Sequence, residues 1–148
     1  MCAPQSTYGT DKVVAEATGR SIPCTFQDPV FSSVDKAFLQ NLGHAVVDTP
    51  AAFALVDADA LVFGIHLYLP LYEQIFGVEP PRIFVGTFWD VFGERSSSER
   101  EDWWLRLVEM GERSLRVVFP CDGAHYTFSN TSMCWSRQGD EPGARELA

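Results

Sequence analysis

At 148 residues the chain has the length of one domain and can bury about two-thirds of the surface its unfolded form exposes. Hydrophobic residues make up 46% of it, including eleven Phe and four Trp, so the material for a sizeable core is present. A formal net charge of −9 argues against sequence-independent binding to nucleic-acid backbones or anionic lipid, which needs an excess of Lys and Arg.

Residues 1–9 are polar and rich in turn formers and read as a disordered start. Thr10 is placed to cap a brief helix through Thr18, with Val13, Val14 and Ala17 on one side and Gly19 at its end. Residues 22–26 read as a strand closed by Asp28-Pro29. Ser32 and Asp35 then form a capping box with Asp in the place of Glu, and Val34, Phe38 and Leu42 hold helical spacing up to Gly43. Residues 45–47 predict another strand, Asp48 to Pro50 a turn, and residues 51–56 a turn or two of helix.

The stretch from Ala60 to Phe76, ALVFGIHLYLPLYEQIF, organises the rest. Its first six residues are an unbroken apolar run, the pattern of a strand buried on both faces. His66 follows at once. Pro70 opens a helix on which Leu71, Tyr72, Ile75 and Phe76 recur at helical spacing before Gly77. Residues 82–86, RIFVG, predict a third short buried strand, and residues 86–95 are apolar without one clean period. Ser98 and Glu101 form a second capping box, opening a helix with Trp103, Leu107 and Met110 on one stripe, Trp104 beside it, and Gly111 as its stop. Asp102 and Arg106 stand at i,i+4 on that helix. Residues 115–119 read as a strand and 125–128 as a shorter one; residues 137–148 read as a mobile polar tail. Strands alternating with helices across residues 10–136 predict a compact α/β, Rossmann-like three-layer domain with a mostly parallel sheet.

In such sheets, sites form beyond the carboxyl ends of the strands, which singles out His66. Asp28 ends a strand as ribose-binding carboxylates do, although Asp before Pro also serves as plain turn chemistry. Tyr72 fits core packing better than proton donation. Asn130, Thr131 and Ser132 would bring amide and hydroxyl groups to the same edge if the last strand runs beside the central ones; as a run of small polar residues they equally suit a turn. No GxSxG elbow supports a nucleophilic serine. Cys121, His125 and Cys134 fall short of the four ligands of a structural zinc site, and Cys24 reads as a buried strand thiol. Four scattered cysteines, no span of membrane length and no apolar leader point to a soluble protein of a reducing compartment, cytoplasm or nucleus. The adjacent pair Trp103 and Trp104 cannot face one core equally, so one is expected at an edge, making this helix the candidate contact surface for a protein partner.

Three segments occur here in a family order: QDPVFSSVDKAFLQNLG at residues 27–43, the strand, His66 and helix with Leu71-Tyr72, and FSNTSMCW at residues 128–135. With them the chain resembles the sensitivity-to-red-light-reduced family, the SRR1-like domain, over residues 22–135. The resemblance implies a regulatory role: plant relatives are linked to light signalling and circadian timing, animal relatives to regulation of haem biosynthesis, and a yeast relative to microtubule phenotypes. It implies no settled catalytic activity and names no cofactor. Relatives begin with a further strand and a glycine-containing turn, which this chain starts too late to include; that argues against a phosphate-cradling cofactor site or for a truncated gene model. Many relatives follow the histidine with Cys where this chain has Leu67, and often carry an acidic residue where it has Asn130. Two expectations follow, a non-catalytic regulator working through protein contacts, and a nucleotide- or cofactor-binding enzyme with its pocket at the carboxyl edge of the sheet.

Overall fold

The structure is a computed structural model and describes residues 19–20, 22–93, 101–120 and 128–136. The expected helix over residues 10–18, the disordered start, residues 125–127 of the shorter strand at 125–128 and the polar tail lie outside these residues, as do Ser98, Cys121 and His125; Phe128 stands in a turn. The chain divides into two compact units, Met1–Ala54 and Leu55–Ala148.

In the first unit, strand β1 (Thr25–Phe26) pairs in parallel with β2 (Ala45–Val46), and helix α1 (Ser33–Asn41) makes the crossover. The capping box forms as the sequence predicts. The Asp35 amide donates to Ser32 Oγ, while the Ser32 amide and hydroxyl donate to the Asp35 carboxylate at 2.9 and 2.7 Å. Those bonds hold the Asp35 carboxyl below its ordinary range. Lys36 Nζ lies 2.6 Å from Asp48 and keeps that carboxyl low in the same way. The strands are shorter than expected, and Cys24 stands just ahead of β1, half-buried. The stripe Val34, Phe38, Leu42 does not mark a buried face: all three are exposed, and Leu39 is the residue of α1 that is buried.

The second unit holds a four-stranded sheet in the order β3 (Leu61–Gly64), β4 (Ile83–Gly86), β6 (Ser132–Ser136), β5 (Ser114–Val118). Only β3 and β4 run parallel; β6 is antiparallel to both β4 and β5. The fold is therefore mixed α/β, and this sheet is mixed rather than mostly parallel. The inner strands are β4 and β6. The strand read as central, β3, is an outer one with Leu61 exposed. An unbroken apolar run reports burial of both faces, but strand order is set by pairings far away in sequence, here with residues 132–136.

Helix α2 (Leu69–Phe76) lies on the face of β4 that carries Phe84. The Phe84 ring, fully buried, meets Tyr72, Phe76 and Phe88 edge to face at 5.9, 5.1 and 5.4 Å between centroids. Such pairs add about 0.5–1.5 kcal/mol each beyond the burial of their area. Tyr72 carries the cluster on to Phe92 at 5.2 Å, and Phe92 meets Trp104 of helix α3 (Asp102–Arg113) at 6.4 Å.

Helix α3 differs from expectation at both ends. It starts at Asp102, after Glu101, and runs past Gly111 straight into β5. Gly111 does not stop the helix because its missing side chain serves packing: a Cβ there would stand 3.1 Å from Trp89 Nε1. Arg106 does not turn to Asp102. It donates to the carbonyls of Phe76 at 3.1 Å and Gly77 at 2.7 Å, closing the end of α2 and tying the two helices together.

Phe84→Ala empties the middle of this cluster and is expected to cost about 3–5 kcal/mol in urea unfolding. A loss below about 1 kcal/mol contradicts the assignment of β4 as the centre of the core.

Candidate functional site

Register fixes which chain ends meet. Gly64 pairs with Gly86, Gly86 with Ser132, and Ser132 with Val118. The carboxyl ends of β3, β4 and β5 and the start of β6 thus form one rim of the sheet. His66 stands two residues beyond Gly64 and Asn130 two residues ahead of Ser132, so both belong to that rim. Both take left-handed backbone, with φ of 55° and 57°. His and Asn are among the few residue types enriched there.

The two glycines make this rim tight. A Cβ on Gly86 would stand 2.7 Å from the carbonyl oxygen of Gly64, and the Leu67 side chain covers Gly64 where a Cβ would go. The shared endings, LVFG and IFVG, carried this signal in the sequence; matching one glycine to the other needed the register.

Tyr72 reaches the same rim from α2. Its side chain is buried, and its hydroxyl donates to the carbonyl of Thr87 at 2.9 Å, one residue past the end of β4. Burial pushes its phenol up to about 12, so at neutral pH it is a hydrogen-bond donor held in place. Thr87, its acceptor, was not among the expected residues, and a backbone carbonyl leaves no trace in sequence. Thr131 and Ser132 are buried. The Thr131 amide donates to Phe128, its carbonyl accepts from the Phe119 amide, and its hydroxyl lies 3.5 Å from the Ser129 carbonyl. The His66 side chain is exposed.

Asp28 belongs to the first unit. Its carboxylate accepts from the Val30 amide at 2.9 Å, and its carbonyl accepts from the Phe31 amide, which is the turn chemistry that Asp-Pro allows. Trp103 and Trp104 do not divide between core and edge: both are buried, at 6% and 3% exposure, in a T-shaped pair 5.8 Å apart. The buried face of α3 takes in both neighbouring positions, and Trp103 Nε1 donates to Glu101 at 2.6 Å, which satisfies its one polar atom. The contact surface expected from this pair is thus not offered by the indoles.

Among the described residues no group of three His, Cys, Asp or Glu side chains is placed to hold a metal ion. Cys134 is fully buried opposite Phe84 and Arg116, and burial pushes its thiol up to about 11, the condition of an unreactive core thiol. No helix among the described residues is long and apolar enough to cross a membrane.

Tyr72→Phe strands the Thr87 carbonyl and is expected to cost about 1–3 kcal/mol. Because the folded phenol titrates at about 12, above its ordinary 10.0, the folded state favours the neutral form. Its stabilisation is complete below pH 10.0 and is lost as pH climbs to about 12. Urea unfolding across that window should show a shallower decline in Tyr72→Phe; equal slopes contradict the buried hydroxyl.

A family model, the SRR1 domain, matches residues 10–135 of the chain. No curated protein matches it, and no solved structure does.

Proposed function

The chain belongs to the SRR1 domain family, and from that premise we propose that it is a non-catalytic regulatory protein that works by holding other proteins. The observation that carries this reading is strand β5. Among the described residues it lies outermost in its sheet, and it shows Leu115, Val117 and Val118 to solvent at 42%, 50% and 76%. Leu115 and Val117 stand on one face of this outer strand and Val118 on the other, and apolar side chains exposed on an outer strand are the kind of surface that partners cover. The family's links to circadian and light signalling and to regulation of haem biosynthesis supply the setting, in cytoplasm or nucleus.

In cells lacking the protein, His66→Ala should restore function and Val117→Lys, equally abundant and equally stable, should not. The reverse pattern overturns the reading.

A second reading has its own observation. Two residues with side chains, His66 and Asn130, hold left-handed backbone on one rim, at a cost on the order of 1 kcal/mol each. Strain of this kind gathers at ligand sites. This reading takes the chain as a Rossmann-like three-layer domain whose pocket, for a nucleotide or related cofactor, is lined by His66, Asn130, Thr131 and Ser132 with Tyr72 beneath. Asp28 is left out, since its carboxylate closes its own turn. A ligand at about a hundred times its Kd stabilises by about 2.7 kcal/mol. A thermal-shift screen with adenosine cofactors and haem should then give a shift that His66→Ala removes; no shift with any of them contradicts this reading.

A further inference from the structure

The backbone of β5 is as informative as its side chains. The Phe119 amide donates to Thr131 at 2.9 Å, so positions 115, 117 and 119 turn their N–H and C=O groups toward β6. Arg116 and Val118 therefore point theirs the other way, along the outer edge. Natural edge strands are guarded by a proline, a bulge or a projecting charge. Strand β5 pairs with β6 residue for residue, without a bulge, and has no proline between Ser114 and Val118; Pro120, the next outward-turned position, bounds the open edge at its far end. Its single charge is committed: Arg116 bonds Asp90 at 2.8 Å and lies over the Phe88 ring at 4.9 Å.

Acidic side chains gather at the end of the sheet where β5 starts. The starts of β3, β4 and β5 lie at one end of the sheet. Leading into them are Asp57, Asp59, Glu79, Glu109 and Glu112. The arginines leading in are Arg82, paired with Asp59 at 3.6 Å, and Arg113, paired with Glu109 at 2.7 Å. Among the described residues the acids Asp57, Glu79 and Glu112 have no arginine partner, with Glu112 two residues ahead of β5 and the other two ahead of β3 and β4, farther across the sheet.

We propose that the outer edge of β5 receives an extended segment of a partner protein as an added antiparallel strand, apolar at alternate positions and carrying Lys or Arg at its carboxyl-side end. Antiparallel addition continues the β6–β5 pattern and is the more stable pairing. It sets the carboxyl-side end of the added strand beside Ser114 and the acidic end of the sheet. Backbone groups of Arg116 and Val118 supply the bonds, Leu115 and Val117 the apolar contact, and the acids at that end the direction. The net charge of −9 disfavours a second copy of this chain in that place and favours a basic segment.

This inference rests on the reading that the chain acts through protein contacts, and its test is separable from that one. Labelled peptides with a common Thr-Val-Thr-Val-Thr centre, carrying two Lys at the carboxyl side, two Lys at the amino side, or two Glu at the carboxyl side, are titrated against the full chain by fluorescence anisotropy. The first should bind tightest and weaken as salt is raised. Val117→Lys should weaken it about tenfold. Val118→Pro should also weaken it, removing one outward donor while sparing the bonds to β6. Both variants are compared with the parent chain by circular dichroism; if Val118→Pro unfolds, Val117→Lys decides alone. Equal binding of the lysine and glutamate peptides overturns the proposal, as does binding that ignores Val117→Lys. So does a dimer of the chain that Val117→Lys dissolves, since a second copy would then be the occupant. Failure of the peptides, with the cellular effect of Val117→Lys intact, removes the added strand and leaves the protein-contact reading standing.

Discussion

The second unit depends on the Phe84 ring. It sits on one of the two inner strands and is met edge-on by two rings of α2 and by Phe88. Its backbone partner across the sheet is Cys134, and beyond Cys134 lies Arg116, which covers Phe88 from β5. The buried ring thus packs β4 against α2 and the turn after β4. The Tyr72 hydroxyl extends the same anchoring to the rim by holding the Thr87 carbonyl.

That arrangement places most of the interior polar chemistry in structural service. Tyr72 and Cys134, both shifted upward by burial, stay neutral at physiological pH. Arg106 caps a helix, and Arg116 pairs and stacks. What the core does not use lies at two places on the sheet: the rim with His66 and Asn130, and the outer strand β5. The second is the surface that the proposed protein-contact reading uses, and the first holds the two left-handed residues.

The legible parts of the sequence were local ones. Ser32 and Asp35 are three residues apart, and their reciprocal bonds follow from that spacing alone. The run ending at Gly64 and the helix after Pro70 were legible for the same reason. Strand order was not. Nothing near residues 60–65 records that β6 lies on the far side of β4, so the apolar run predicts a central strand where the fold has an outer one. Gly111 misled because glycine has two uses, helix ending and close packing, and Trp89 decided between them from far along the chain. The tryptophan pair misled because helical geometry limits how far two neighbours can share a face, but not how wide a buried face becomes. At the rim, His66 and Ser132 were recognisable by type and position, whereas Thr87 takes part through its carbonyl and has no sequence signature.

The account turns on β5 being held by β6 on one side and open on the other. Residue-resolved amide hydrogen exchange measures this directly. The amides of Leu115, Val117 and Phe119 should be strongly protected and those of Arg116 and Val118 should exchange quickly, in alternation along the strand. Uniform protection of all five, at the level of β4, would show an edge already covered within the chain and would contradict the account.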